Sequence, residues 1–203
     1  MWTQYWPIYE RLEKEICDFT FQVALSDNQL TVHSIKLAEY VLRICSECEN
    51  CGKALITQLD PQVNASRYSF PRIGNTLIRK AAFNTVKVEI IWPYQTLSNK
   101  QVQPFTVWSR RGKTNPPWFT AYNNLKHDRN VNMQDGNYTN AINALAGLFV
   151  LNLWLRKQEI ESHSEHVDFL RKRIQSYSTL FNPGLFLKVS TTGSTKRNLT
   201  LNA

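Results

Sequence analysis

From Ala141 to Leu155 the chain carries fifteen residues with no charge and only two polar side chains, Asn143 and Asn152. A helix that is apolar on nearly every side has to be enclosed by other elements. The run is shorter than the roughly 18 to 20 residues a membrane crossing requires. It is also interrupted by two amides and closed by Arg156-Lys157. The segment therefore predicts a helix over about 141–160, capped by Thr139 or Asn140, in the middle of a helical bundle. The rest of the chain can supply that bundle: 203 residues, 42% of them apolar, offset chain entropy in a single domain and exclude wholesale disorder.

Other elements follow from periodicity. Residues 18–25 alternate apolar and polar and predict a strand. Ile35, Ala38, Val41, Leu42, Cys45 and Cys48 recur at helical spacing behind Ser34, which predicts a helix over about 34–50 with a serine N-cap. Residues 60–74 read as connection and 75–83 as a short helix. Val86–Trp92 predicts a strand, with 103–108 as an edge partner, since Pro104 cannot donate to a ladder. Pro117 suits the first turn of a helix over 117–129, and a charged helix is expected over about 165–178. The predicted architecture is one mainly α domain, residues 1–189, decorated by a small antiparallel β-sheet. A Ser/Thr/Asn-rich flexible tail is expected over 190–203.

Charge is unevenly distributed. Residues 1–60 hold 5 Lys/Arg against 9 Asp/Glu, residues 61–155 hold 11 against 3, and residues 156–203 hold 8 against 4. An acidic head before a basic middle and tail creates a field that attracts polyanions. The first residues lack a basic run followed by an apolar core, so a cytoplasmic address without membrane association is expected.

Three groups of residues carry candidate chemistry. Cys45, Cys48 and Cys51 have C-x2-C-x2-C spacing, as a zinc or iron–sulfur site would. Two of them lie on the apolar stripe of a helix, however, and no fourth ligand is evident, so core packing is the expected role and no metal or cofactor is assigned. On the helix from 117, Phe119, Asn123 and His127 share one line, flanked by Lys126 and Arg129 at the C-terminal turn. His exchanges protons near neutral pH, and paired cations bind a phosphodiester. Finally, Arg110, Arg111 and Lys113 beside Trp108 and Trp118 form a candidate nucleic-acid grip, in which cations hold phosphates and rings stack on bases.

The block Trp118–Leu155 resembles the HEPN-type helical domains of prokaryotic defence and toxin systems. Those domains carry an Arg-x4–6-His element before another apolar helix. Tyr122-Asn123-Asn124-Leu125-Lys126-His127 overlays that element with Tyr122 in the place of the arginine. The same block is similar to bacterial and phage proteins with a Tyr-Asn-x-x-Lys-His-Asp-Arg core, here ending at Asp128 and Arg129. Their earlier helix carries a Glu-x-Glu pair, as Glu47 and Glu49 do here. The resemblance implies a HEPN-like helical bundle that binds RNA or a partner protein in a defence, toxin–antitoxin or stress context. It also implies, as an alternative, a homodimeric, metal-independent ribonuclease in which His127 moves the proton, assisted by Asn123 and by Lys126 or Arg129. A third alternative is a non-catalytic adaptor. In each case Glu47 or Glu49 is expected to contact His127 or Arg129.

Overall fold

The computed structural model describes residues 2–80, 82–109, 114–161, 178–182, 187–190 and 198–201. Five helices dominate: α1 (Trp2–Phe19), α2 (Ile35–Leu59), α3 (Phe70–Lys80), α4 (Pro117–His127) and α5 (Tyr138–Glu161). Strands β1 (Val88–Ile90), β2 (Gln101–Val102) and β3 (Phe181–Asn182) form an antiparallel sheet in the order β2-β1-β3. Strands β4 (Leu187–Ser190) and β5 (Asn198–Leu201) pair as a separate antiparallel ribbon. The mainly α architecture with a small β decoration is the one the sequence predicts.

Helix α5 is the core element. Its residues from Leu148 to Leu151 are essentially inaccessible, and it packs against α2, α1 and α4. Its stretch Tyr138–Lys157 is long and apolar enough to cross a membrane, yet 83% of its most apolar window is covered by protein. The N-cap differs from expectation. The Asn137 side-chain oxygen accepts the Asn140 N–H at 2.9 Å, while Thr139 instead donates its hydroxyl to the Leu30 carbonyl at 3.0 Å. Helix α2 begins as predicted, with the Ser34 hydroxyl accepting the Leu37 N–H at 3.1 Å, and continues past Gly52 to Leu59. At Gly136 a Cβ would lie 2.6 Å from the Ala38 Cβ and 2.8 Å from its Cα, so only glycine lets the α4–α5 connection rest on α2.

The strand expected over 18–25 is not formed. Trp6, Tyr9, Leu12, Ile16 and Phe19 recur at spacings of three and four, and all are buried on α1. The helical stripe wins over the short alternation that follows it, and residues 20–23 close in hydrogen-bonded turns. Helix α3 starts at Phe70, five residues earlier than predicted, because Phe70, Ile73, Leu77 and Ile78 form one buried face. The partner of β1 is Gln101–Val102 rather than 103–108. Phe105 and Trp108 dive together into the core at 0% and 3% exposure, which turns that segment away from the ladder. Where composition predicts a flexible tail, β5 pairs with β4. The helix expected over 165–178 lies outside the described residues up to 177, and Ser178 begins a bend that leads into β3.

A buried carboxylate ties that segment to the bundle. Glu13 on α1 is 4% exposed. It accepts the Tyr9 hydroxyl at 2.7 Å, the Leu180 N–H at 3.1 Å, the Thr179 N–H at 3.2 Å, and the Ser178 hydroxyl. Burial, then the neighbouring Glu13, hold the Tyr9 phenol well above its ordinary value. Phe181 then stacks on Phe149 of α5 with ring centres 5.6 Å apart.

Candidate nucleic-acid interface

The residues that the sequence groups around His127 are not gathered into a site. Tyr122 is buried, Asn123 is half-buried, and Lys126, His127, Asp128 and Arg129 are all exposed. The His127 side chain makes no hydrogen bond or ion pair with any described residue. Lys126 lies over the Tyr122 ring at 5.5 Å, and Asp128 accepts the Val131 N–H at 3.2 Å to shape the following turn. The reason is geometric: the line through Phe119, Asn123 and His127 begins in the core and leaves it as α4 ends.

Glu47 and Glu49 are not brought to that helix end. Helix α4 runs antiparallel to α2, with the Cys45 thiol 3.8 Å from the Trp118 carbonyl and the loop after His127 resting on Ala38. Glu47 is nine residues beyond Ala38, about 13 Å along the axis. Glu49 pairs instead with Lys53 at 2.7 Å. Glu47 is half-buried, which raises its carboxyl above the usual range.

Trp108 and Trp118 cannot stack on a base. Trp108 lies against Gly74 and stacks on Phe105 at 4.1 Å, and the Trp118 indole N–H donates to the Pro104 carbonyl at 2.7 Å. Arg110, Arg111 and Lys113 lie outside the described residues. Cys45, Cys48 and Cys51 are fully buried, and burial raises all three thiols well above their ordinary value. Cys48 faces the Ala144 carbonyl at 3.5 Å, a packing contact between α2 and α5.

What the structure does assemble is a basic face on α3. Phe70, Ile73, Gly74, Leu77 and Ile78 point inward, which leaves Arg72, Thr76 and Arg79 at i, i+4 and i+7 on the opposite side, beside Lys80. Arg67 precedes the helix. All four cations are exposed, and none pairs with a carboxylate among the described residues. Arg79 and Lys80 suit the helix C-terminus, whereas Arg72 sits in the first turn, where the macrodipole disfavours a cation. Helix stability therefore does not explain Arg72. Its guanidinium lies 3.9 Å from the centre of the Tyr68 ring, which holds it in one orientation. The surrounding sequence adds to the field, since residues 61–127 contain ten Lys/Arg and one carboxylate, Glu89. The sequence signal for this face was the carboxylate-free run before Glu89.

A contrasting surface lies between α1 and α2. Arg11, Glu15, Asp18, Phe19, Gln22, Lys36, Tyr40 and Arg43 line an open groove of about 680 Å³. Here the cations are engaged: Arg43 reaches Glu15 at 2.6 and 3.2 Å, and Arg11 reaches it at 2.8 Å. The Arg43 hydrogen bonds pull the Glu15 carboxyl from 4.5 down to about 2, against burial and with help from Arg11. Because the folded value is depressed, this network stabilises the fold above pH 4.5 and ceases to do so as pH falls toward 2. Arg43→Met is expected to return the Glu15 titration toward 4.5, read by carboxyl-carbon NMR.

No protein-family model, no curated protein and no solved structure matches this chain.

Proposed function

We propose that this chain is an RNA-binding protein that contacts phosphates through Arg72, Arg79 and Lys80 on the outer face of α3 and through Arg67 just before it. The context we propose is the one implied by the HEPN resemblance, a prokaryotic or phage defence or stress system. The observation that supports the reading is that Arg72, Arg79 and Lys80 share the exposed side of one amphipathic helix, with exposed Arg67 three residues before it, and no carboxylate among the described residues is paired to any of the four. Unpaired cations leave a polyanion free to exchange its condensed counterions for protein contacts, which is the main source of sequence-independent affinity. Cleavage does not belong to this reading, because the exposed His127 side chain has no polar partner among the described residues to orient it or set its tautomer.

The test is fluorescence anisotropy of a labelled single-stranded RNA with the purified protein in EDTA, between 50 and 200 mM salt. Binding is expected to weaken steeply with salt while the RNA stays intact. Salt-independent binding, or none, contradicts the proposal. Cleavage lost in His127→Ala would instead establish the ribonuclease alternative.

A further inference from the structure

Arg72 differs from the other cations of α3 in what it rests on. Its guanidinium carbon lies 3.9 Å from the centre of the Tyr68 ring. Carbon atoms meet at about 3.5–4.0 Å, so a group this near the centre sits over the face of the ring and not beside its edge. Tyr68 is a firm backing. Its ring is half-buried and packs against the core, and its N–H donates to the carbonyl of buried Ala65 at 2.9 Å. Asn64 secures the same turn by accepting the Ser66 N–H at 3.0 Å. The other cation–ring contacts among the described residues, at Tyr40, Tyr122 and Trp154, use a lysine ammonium at 5.1, 5.5 and 4.5 Å. An ammonium is a point charge, whereas a guanidinium is a plane with donors along its rim. Arg72 is exposed, and its side chain makes no hydrogen bond or ion pair with any described residue. One face of the plane is against Tyr68; its other face and its N–H rim are open.

We propose that the open face of Arg72, backed by Tyr68, stacks on an unpaired base of the bound RNA while its rim reaches the adjoining phosphate; the inference rests on the RNA-binding reading above. Net charge does not select this occupant: Asp60, seven residues before Arg67, accepts the Gln62 N–H at 3.3 Å and stays an anion. Shape selects it. A phosphate is held well enough by a lysine, which needs neither a plane nor a ring behind it. Arg72 also sits in the first turn of α3, where a cation gains nothing from the helix itself. A guanidinium plane stacks on the flat side of a base, and every base has one, so the contact tolerates any sequence. In a duplex those flat sides are covered by neighbouring bases, so the contact requires an unpaired nucleotide.

The experiment compares the wild-type protein with Arg72→Lys on two labelled strands of equal length and equal phosphate number, an oligoadenylate and an abasic ribose-phosphate strand. The wild type is expected to bind the oligoadenylate at least about fivefold more tightly. Arg72→Lys is expected to erase most of that preference by losing affinity for the oligoadenylate alone, with melting and salt slope unchanged. Tyr68→Phe, which keeps the backing ring, is expected to keep the preference. Equal binding of the two strands by the wild type, a preference that survives Arg72→Lys, or an equal loss on both strands overturns the stacking and leaves phosphate contact on α3 standing. Lower melting of Arg72→Lys with both affinities unchanged would assign the Tyr68 contact to holding the start of the helix, and also overturns the stacking. Failure of the wild-type protein to bind either strand overturns both readings.

Discussion

Replacing Arg67, Arg72, Arg79 and Lys80 together by glutamine is expected to weaken single-stranded RNA binding by on the order of 10³-fold at 50 mM salt and about 20-fold at 200 mM. Each phosphate contact contributes about 0.7 to the dependence of log affinity on log salt for a single strand, so the slope should shrink by about 3. The fold should survive. The four side chains are exposed, and the apolar side of α3, which carries Ile73 and Leu77 at 0% exposure, is untouched. Surface substitutions of this kind change stability by only about 0.5 kcal/mol each. Arg72→Lys separates charge from shape: it keeps the contact count but gives up the planar group held against Tyr68, so it should lose affinity with little change in slope. Anisotropy across the salt series measures all of this, with thermal melting as the control.

The second large effect concerns stability. Glu13→Ala is expected to cost about 3 to 5 kcal/mol, read by chemical denaturation, because it orphans several buried donors at once. The Thr179 and Leu180 N–H groups lose their acceptor, while the Tyr9 and Ser178 hydroxyls can still reach each other at 3.0 Å. Glu13→Gln retains one carbonyl oxygen and is expected to cost less. Since Phe181 N–H bonds to the Ser178 hydroxyl and Ile90 pairs with Phe181, the loss should spread into β3. Faster amide exchange at 180–182 than in α2 is the expected signature. RNA affinity should hold wherever the variant remains folded, since Glu13 lies on α1 rather than α3.

Much of the fold was legible because long helices advertise themselves. Ser34 before α2, Pro117 opening α4 and the uncharged run of α5 each combine a boundary signal with a sustained period. Helix α1 was hidden because Pro7 lies inside it and the alternation at Phe19, Phe21, Val23 and Leu25 imitates a strand. The alternation fails physically, since Leu25 is fully buried while Phe21 is two-thirds exposed. Strand β3 was out of reach because its place beside β1 depends on Glu13, a carboxylate on the otherwise apolar Tyr9–Ile16 stripe, whose partners lie at the far end of the chain.

The candidate site was half visible. The imbalance of charge after residue 60 pointed to a polyanion, but starting α3 at 75 left Arg72 in a connector and dissolved the face it shares with Arg79. The spacing around His127 was real as helix geometry, yet spacing cannot say where a helix emerges from the core. Trp108 and Trp118 show the converse: rings beside a basic run were drawn inward because the core needed their volume.

The most direct measurement is amide chemical-shift mapping of the full chain as single-stranded RNA is added. The account predicts that the largest changes run from Arg67 through Lys80, diminish as salt is raised, and leave Lys126 to Arg129 unmoved. Changes centred on His127 with α3 silent, or no change at all at low salt, would contradict it.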